Sequence, residues 1–161
     1  MALKNDVLFV DIKSRYAKDF EALLMSWVGE VFVTDFHGDS FADHPSSHKV
    51  QLLIARENKQ FVSGVVVSQK LIFNDFKSDQ YRKVAEQLRE EGYANFSYFC
   101  TREDKRNLGY ASSVLSYISK HKVSCWLACG LGLIDFYTSR GFEVVIDADE
   151  FNSAILRTKA F

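Results

Sequence analysis

An aromatic-rich run with strand character, Phe96 to Thr101, passes through a short basic stretch into Gly109 and then into an amphipathic helix. That helix reads as residues 108–120, with Ala111, Val114, Leu115 and Ile118 at i, i+3, i+4 and i+7. A strand that feeds a helix through a glycine-bearing turn demands an architecture in which both elements share one core. Such a strand–turn–helix fits an α/β arrangement.

The remainder of the chain agrees. Val7 to Ile12 reads as a first strand, and Ser14 as a cap for a helix carrying Phe20, Leu23, Leu24, Trp27 and Val31 at helical spacing. Val50 to Ala55 and Phe61 to Ser68 are β-rich runs separated by Arg56-Glu57-Asn58-Lys59-Gln60, the pattern of an antiparallel hairpin with a longer turn. Ser78 can cap a helix with Tyr81, Val84, Ala85 and Leu88 on one face, which Gly92 is placed to end. Val123 to Cys129 reads as a strand, Leu133 to Arg140 as a short helix, and Val144 to Ile146 and Ala154 to Thr158 as closing strands. The order β-α-β-β-α-β-α-β-α-β-β implies one α/β (α+β) domain over residues 1–161, with a mixed sheet.

Composition limits the function classes. A chain of 161 residues, 47% hydrophobic and 25% charged, is expected to be one ordinary globular domain. A net charge of -1 gives no general attraction to nucleic acid or an anionic membrane, so neither is an expected partner. The apolar stretch near the N-terminus ends at Asp11, too short and polar for a signal peptide, and no segment approaches a membrane span. Cys100, Cys125 and Cys129 lie in or beside apolar runs and read as buried reduced thiols, which implies a cytoplasmic protein.

Two stretches carry chemistry. In Arg106-Asn107-Leu108-Gly109-Tyr110-Ala111, the free N–H groups and partial positive charge of a helix start can hold phosphate oxygens. Gly109 and Ala111 keep the approach open. Ser112 and Ser113 add hydroxyls, while Arg102, Lys105 and Arg106 add charge. The second stretch is Phe136-Tyr137-Thr138-Ser139-Arg140-Gly141-Phe142, where Tyr137 can donate a proton and Gly141 can end a helix.

Together these stretches resemble the GNAT N-acetyltransferase superfamily. Arg106-x-x-Gly109-x-Ala111 matches the Gln/Arg-x-x-Gly-x-Gly/Ala signature that follows that family's fourth strand, and Tyr137-x-x-x-Gly141-Phe142 is similar to its Tyr-x-x-x-Gly-Phe segment. The hairpin over 50–68, with Gly64 in its second strand, resembles the family's second and third strands. The resemblance implies the acyl-CoA N-acyltransferase fold, a central mixed, largely antiparallel sheet flanked by helices. It further implies that Arg106, Asn107, Leu108, Gly109, Tyr110, Ala111 and Ser112 bind the pyrophosphate of acetyl-CoA. Phe99, Cys100 and Thr101 would hold the pantetheine through backbone groups, and Tyr137 would protonate the departing thiolate. The acceptor would be a small-molecule amine or a peptide amine, with homodimerisation left open. The family often carries Asn and Ala where this chain has Gly130 and Leu133, and the helix near 78–91 reads as an insertion.

Amine acetylation also needs a base, and many family members place a glutamate on the fourth strand. Residues 95–101 contain no carboxylate. The loop 34–48 holds Asp35, His37, Asp39, Asp43, His44 and His48; of these, Asp35, His37 and Asp39 are the candidates to border the acceptor. Their spacing follows no standard metal site, so no metal is expected. Ala128-Cys129-Gly130-Leu131-Gly132 opens like a dinucleotide fingerprint, but the third glycine position is Asp135 and too little chain follows. The competing function is a CoA-binding or acyl-CoA-sensing domain without catalysis.

Overall fold

The computed structural model describes residues 5–11, 14–28, 50–68, 79–147 and 153–160. In chain order the elements are β1 (Asn5–Asp11), α1 (Arg15–Val28), β2 (Val50–Glu57), β3 (Gln60–Ser68), α2 (Asp79–Glu90), β4 (Ala94–Thr101), α3 (Tyr110–Lys120), β5 (Cys125–Gly130), α4 (Ile134–Thr138), β6 (Phe142–Ile146) and β7 (Ser153–Thr158). Single 3-10 turns at Glu103–Lys105 and Leu131–Leu133 precede α3 and α4. The strands form one sheet in the order β1-β2-β3-β4-β5-β7-β6. Only β4 and β5 run parallel.

Every expected element with described residues is present, with shifted ends. The longer hairpin turn is a correction: Arg56 pairs with Phe61 and Glu57 with Gln60, so both flanks are strand. Asn58 and Lys59 alone make the turn, at φ of 50° and 65°. Two successive left-handed residues match the right-handed twist of the strands they join. Ser14 does not cap α1 through its side chain. Its carbonyl accepts the Ala17 N–H at 3.1 Å, whereas its hydroxyl is buried without a partner among the described residues. Gly92, at φ 92°, ends α2 as expected: the Tyr93 N–H returns to the Leu88 carbonyl at 2.9 Å. Ile12, Val31, the Trp27 side chain, Ser78 and the loop 34–48 with Asp35, His37 and Asp39 lie outside the described residues. No helix among the described residues is long and apolar enough to cross a membrane.

Alternation along β2 sends Leu53 and Ala55 to one face of the sheet and Leu52 and Ile54 to the other. The first face is covered by α3 through Val114, Leu115 and Ile118, joined by Tyr137 of α4 and Phe142. The second is covered by α1 through Phe20 and Leu24, and, over β5 and β7, by α2 through Tyr81, Ala85 and Leu88 against Trp126 and Ile155. Because β2 and β3 bury apolar side chains on both faces, apolar patterning alone cannot fix their register. The tight turn and Gly64 do. A Cβ at Gly64 would lie 2.9 Å from a Phe61 ring carbon, 3.1 Å from Phe20 and 3.2 Å from Ile54.

Gly64→Val is therefore expected to overpack the α1 face and destabilise the protein by about 1–3 kcal/mol. Urea denaturation should show a lower midpoint at an unchanged slope; an unchanged midpoint would remove Gly64 from this account.

Candidate functional site

The turn at 106–109, expected to hold phosphate, follows β4 and the single 3-10 turn at Glu103–Lys105. Asn107 and Gly109 adopt left-handed backbone at φ of 61° and 88°, which folds 106–109 back so that α3 starts at Tyr110. Gly109 is the N-cap residue and provides no side-chain cap, so the N–H groups of the first turn of α3 have no cap side chain on them. A Cβ on Gly109 would meet nothing within 4 Å. Glycine is thus required there by its φ, and the space beside the helix start is open. Two expected contributors turn elsewhere. The Ser113 hydroxyl donates to the Gly109 carbonyl at 3.0 Å, and Arg102 is engaged by Asp104 at 2.8 Å and by the Phe61 carbonyl at 3.3 Å.

Glu57, at the end of β2, holds the turn from two sides. The Tyr110 hydroxyl donates to Glu57 Oε2, and Lys105 Nζ lies 3.1 Å from the same oxygen. The hydrogen bond from Tyr110 and then that from Lys105 hold the Glu57 carboxyl below its ordinary range. The same bond to Glu57 raises the Tyr110 phenol. At the base of the turn, Ser63 Oγ donates to the Cys100 carbonyl at 3.0 Å and lies 2.8 Å from Thr101 Oγ1, tying the end of β4 to β3.

One cavity of ≈ 540 Å³ brings together Phe99, Cys100, Thr101, Arg106, Asn107, Gly109, Tyr110, Ala111, Ser112 and Tyr137. These are all the residues expected at the donor site except Leu108, whose side chain is 64% exposed and stands outside. Cys100 packs its thiol into the α1-side cluster, where burial pushes it up to about 12; it offers the cavity backbone rather than a nucleophile. Lys105, Leu133, Phe136 and Arg140 complete the wall. Arg140 donates from Nη1 to the Phe136 carbonyl at 2.8 Å and from Nε to Ser112 Oγ at 3.3 Å, with its guanidinium 4.0 Å from the Phe136 ring centre. It went unread in the sequence although it lies inside the Tyr-x-x-x-Gly-Phe stretch.

The far end of the site depends on how β4 and β5 part. They pair only through Ala94 with Cys125 and Asn95 with Trp126. Beyond that point β4 stays with β3, where Cys100 opposes Gly64 and Ser97 opposes Val66. Two residues of β4, Tyr98 and Phe99, thus face one of β3, a bulge made by Tyr98 at φ 57°. The gap is a second cavity of ≈ 280 Å³ that shares Phe99, Leu133 and Tyr137 with the first. Tyr137 therefore stands at the junction, 8% exposed, with its ring edge-on to Phe136 at 5.1 Å and Phe142 at 5.5 Å. Burial first, and then the Cys129 and Cys125 thiols, push its phenol above its ordinary value. At neutral pH the phenol therefore keeps its proton. Among the described residues no carboxylate lines either cavity, and no group of three or more His, Cys, Asp or Glu is suited to a metal ion.

No family model matches the sequence, and no curated protein matches it. Solved structures do match in shape. FeeM, an N-acyl amino acid synthase from uncultured soil microbes, aligns at a TM-score of 0.62 and 13% identity, over 98% of this chain and 91% of that one. An acyl-CoA N-acyltransferase from Pseudomonas aeruginosa aligns at 0.60 and 14%, over 97% and 100%. Arabidopsis thaliana Naa50, in complex with the bisubstrate analogue CoA-Ac-MVNAL, aligns at 0.55 and 15%, over 96% and 99%. The chain has the GNAT acyl-CoA N-acyltransferase fold.

The Glu57 geometry has a pH signature. A carboxyl lowered by folding stabilises the protein above its unfolded pKa, and that contribution disappears as pH falls through its folded value. Glu57→Gln should lower Tm at pH 7 and lose its difference from wild type in acid below the ordinary carboxylate range. A Tm difference that persists unchanged in acid would contradict the ion-pair assignment.

Proposed function

We propose that the protein is an N-acyltransferase that moves an acetyl group from acetyl-CoA to an amine by direct attack. The observation that carries this reading is the pair of adjoining cavities, one at the start of α3 and one in the gap between β4 and β5, with Tyr137 lining both.

In this reading the pyrophosphate lies on the first-turn N–H groups of α3 beside Arg106, with Lys105 and Arg140 adding positive charge from the walls. The pantetheine enters the gap and takes hydrogen bonds from β4, whose bulge at Tyr98–Phe99 removes residues from the ladder with β3. Backbone N–H groups near Phe99–Thr101 polarise the thioester carbonyl. The amine nitrogen attacks that carbon, the C–N bond forms, the C–S bond breaks, and the nitrogen gives up a proton to solvent water. The sulfur takes its proton from Tyr137, which recovers one from solvent. A phenol raised by burial is a weaker acid than a free thiol of about 8.5. The same apolar surroundings raise the basicity of the thiolate, which narrows that difference.

The relatives in shape support an amine acceptor in general terms, since FeeM is an N-acyl amino acid synthase and Naa50 is seen with a CoA–peptide analogue. The acceptor here is a small-molecule amine or a peptide amine. A second reading, a CoA-binding or sensing domain without catalysis, is favoured by one observation: no carboxylate of the described residues lines either cavity.

Acetyl-CoA at 100 times its Kd should stabilise the protein by about 2.7 kcal/mol, read as a rise in Tm. Thiol release with a panel of amines then separates enzyme from sensor, because binding without release from any amine supports the sensor. Tyr137→Phe should lower kcat by about 10²-fold or more with the acetyl-CoA Kd unchanged. An unchanged rate across pH would take the proton-donor role away from Tyr137.

A further inference from the structure

The gap between β4 and β5 holds two polar atoms that the fold does not satisfy. Asn95 and Ser97 are 3% and 7% exposed, both line the ≈ 280 Å³ cavity, and Asn95 Oδ1 and Ser97 Oγ have no hydrogen-bond partner among the described residues. Buried polar side chains are nearly always paired, so two orphans on one cavity wall point to a ligand that pairs them.

Their direction says which ligand. Ala94 and Phe96 pack into the α3-side cluster, so the alternation of β4 turns Asn95 and Ser97 to the opposite face. The bulge at Tyr98 keeps the next side chain on that face as well, where Tyr98 packs with the α1-side cluster. The donor turn lies at the start of α3, on the other side of the sheet. A group that reaches Asn95 and Ser97 therefore meets the thioester from the side opposite CoA, which is the approach an attacking amine needs.

The chemistry of the wall narrows the amine. Apart from this amide and hydroxyl, the cavity is lined by aromatic and aliphatic side chains, Gly130 and the Cys129 thiol. Its titratable side chains among the described residues are Tyr98, Cys129 and Tyr137, all uncharged in their ordinary forms at neutral pH. An amide and a hydroxyl can accept N–H hydrogen bonds from a neutral amine while its lone pair points at the carbonyl. They do not repay the desolvation of an ammonium. We propose that Asn95 and Ser97 recognise the acceptor nitrogen in its uncharged form and so select weakly basic amines, peptide or amino-acid α-amines, over lysine-type alkylamines. This deepens the acyl-transfer reading and rests on it. With α-amines near 7.7–8.0 and alkylamines near 10.4, the uncharged fraction at pH 7 differs by about 300-fold.

The test compares a lysine-free dipeptide with butylamine as acceptors for wild type, Ser97→Ala and Asn95→Asp. Thiol release gives kcat and KM, and calorimetry gives the acetyl-CoA Kd. Wild type should prefer the dipeptide by on the order of 10²-fold in kcat/KM at pH 7. The butylamine rate should climb about tenfold per pH unit to pH 9, while the dipeptide rate levels off above its own pKa. Ser97→Ala should raise the dipeptide KM about tenfold and leave the acetyl-CoA Kd within about twofold. Asn95→Asp should shift preference toward butylamine by supplying a carboxylate. The proposal is overturned if butylamine is the equal or better acceptor for wild type. It is overturned too if Ser97→Ala weakens acetyl-CoA instead of the dipeptide, or leaves both unchanged. Failure of wild type to bind acetyl-CoA, or binding with no turnover of either amine, overturns the acyl-transfer reading itself and this assignment with it.

Discussion

The parting of β4 and β5 is the constraint on which the rest of this structure depends. A parallel pair that stops bonding after Asn95 and Trp126 leaves backbone groups without their natural partners. Such a gap survives only if each half of the sheet is held by something else. On one side, β1 to β4 are clamped by α1 through Phe20 and Leu24. On the other, β5, β7 and β6 are clamped by α2 through Tyr81, Ala85 and Leu88 against Trp126 and Ile155. The α3 face bridges the two halves, with Leu53 and Leu127 in the same cluster. The opening is therefore a built feature, and the bulge at Tyr98, unusual for a side chain at positive φ, belongs to the same design.

The electrostatics of the site follow from placement and not from net charge. A chain with formal charge -1 has no general pull on anions, yet Lys105, Arg106 and Arg140 stand on the wall of one cavity beside a helix start. Glu57 offsets part of that charge and, in return, fixes Lys105 and Tyr110. A carboxylate close to a turn proposed to hold phosphate would be unfavourable if it faced the ligand; Glu57 is bonded to Tyr110 and Lys105 and does not line the cavity.

Local patterns were legible in the sequence, and long-range ones were not. The turn at 106–112 could be read because a helix start is specified by a few adjacent residues, and Tyr137 because one short stretch carries it. Leu108 was included by contiguity within the motif; it is exposed and does not line the cavity. The grip of Glu57 on Tyr110 spans 53 positions, and no spacing rule predicts it. Tyr98 has no propensity for left-handed backbone, so the bulge had no signal. Ser14 looked like a helix cap, but its hydroxyl is buried and the backbone carbonyl does the bonding. Asn95 and Ser97 read as ordinary strand residues until their burial and the lack of partners were visible together.

In the proposed reaction the turn before α3 receives the phosphates of CoA while the β4–β5 gap receives its pantetheine arm. Backbone amide chemical shifts measured by NMR during titration test it most directly, with CoA in one series and phosphate-free pantetheine in the other. CoA should move the amides of Gly109, Tyr110, Ala111 and Ser112 together with those of Phe99–Thr101, and pantetheine only the latter. Shifts at 109–112 that are absent with CoA, or equally large with pantetheine, would contradict it.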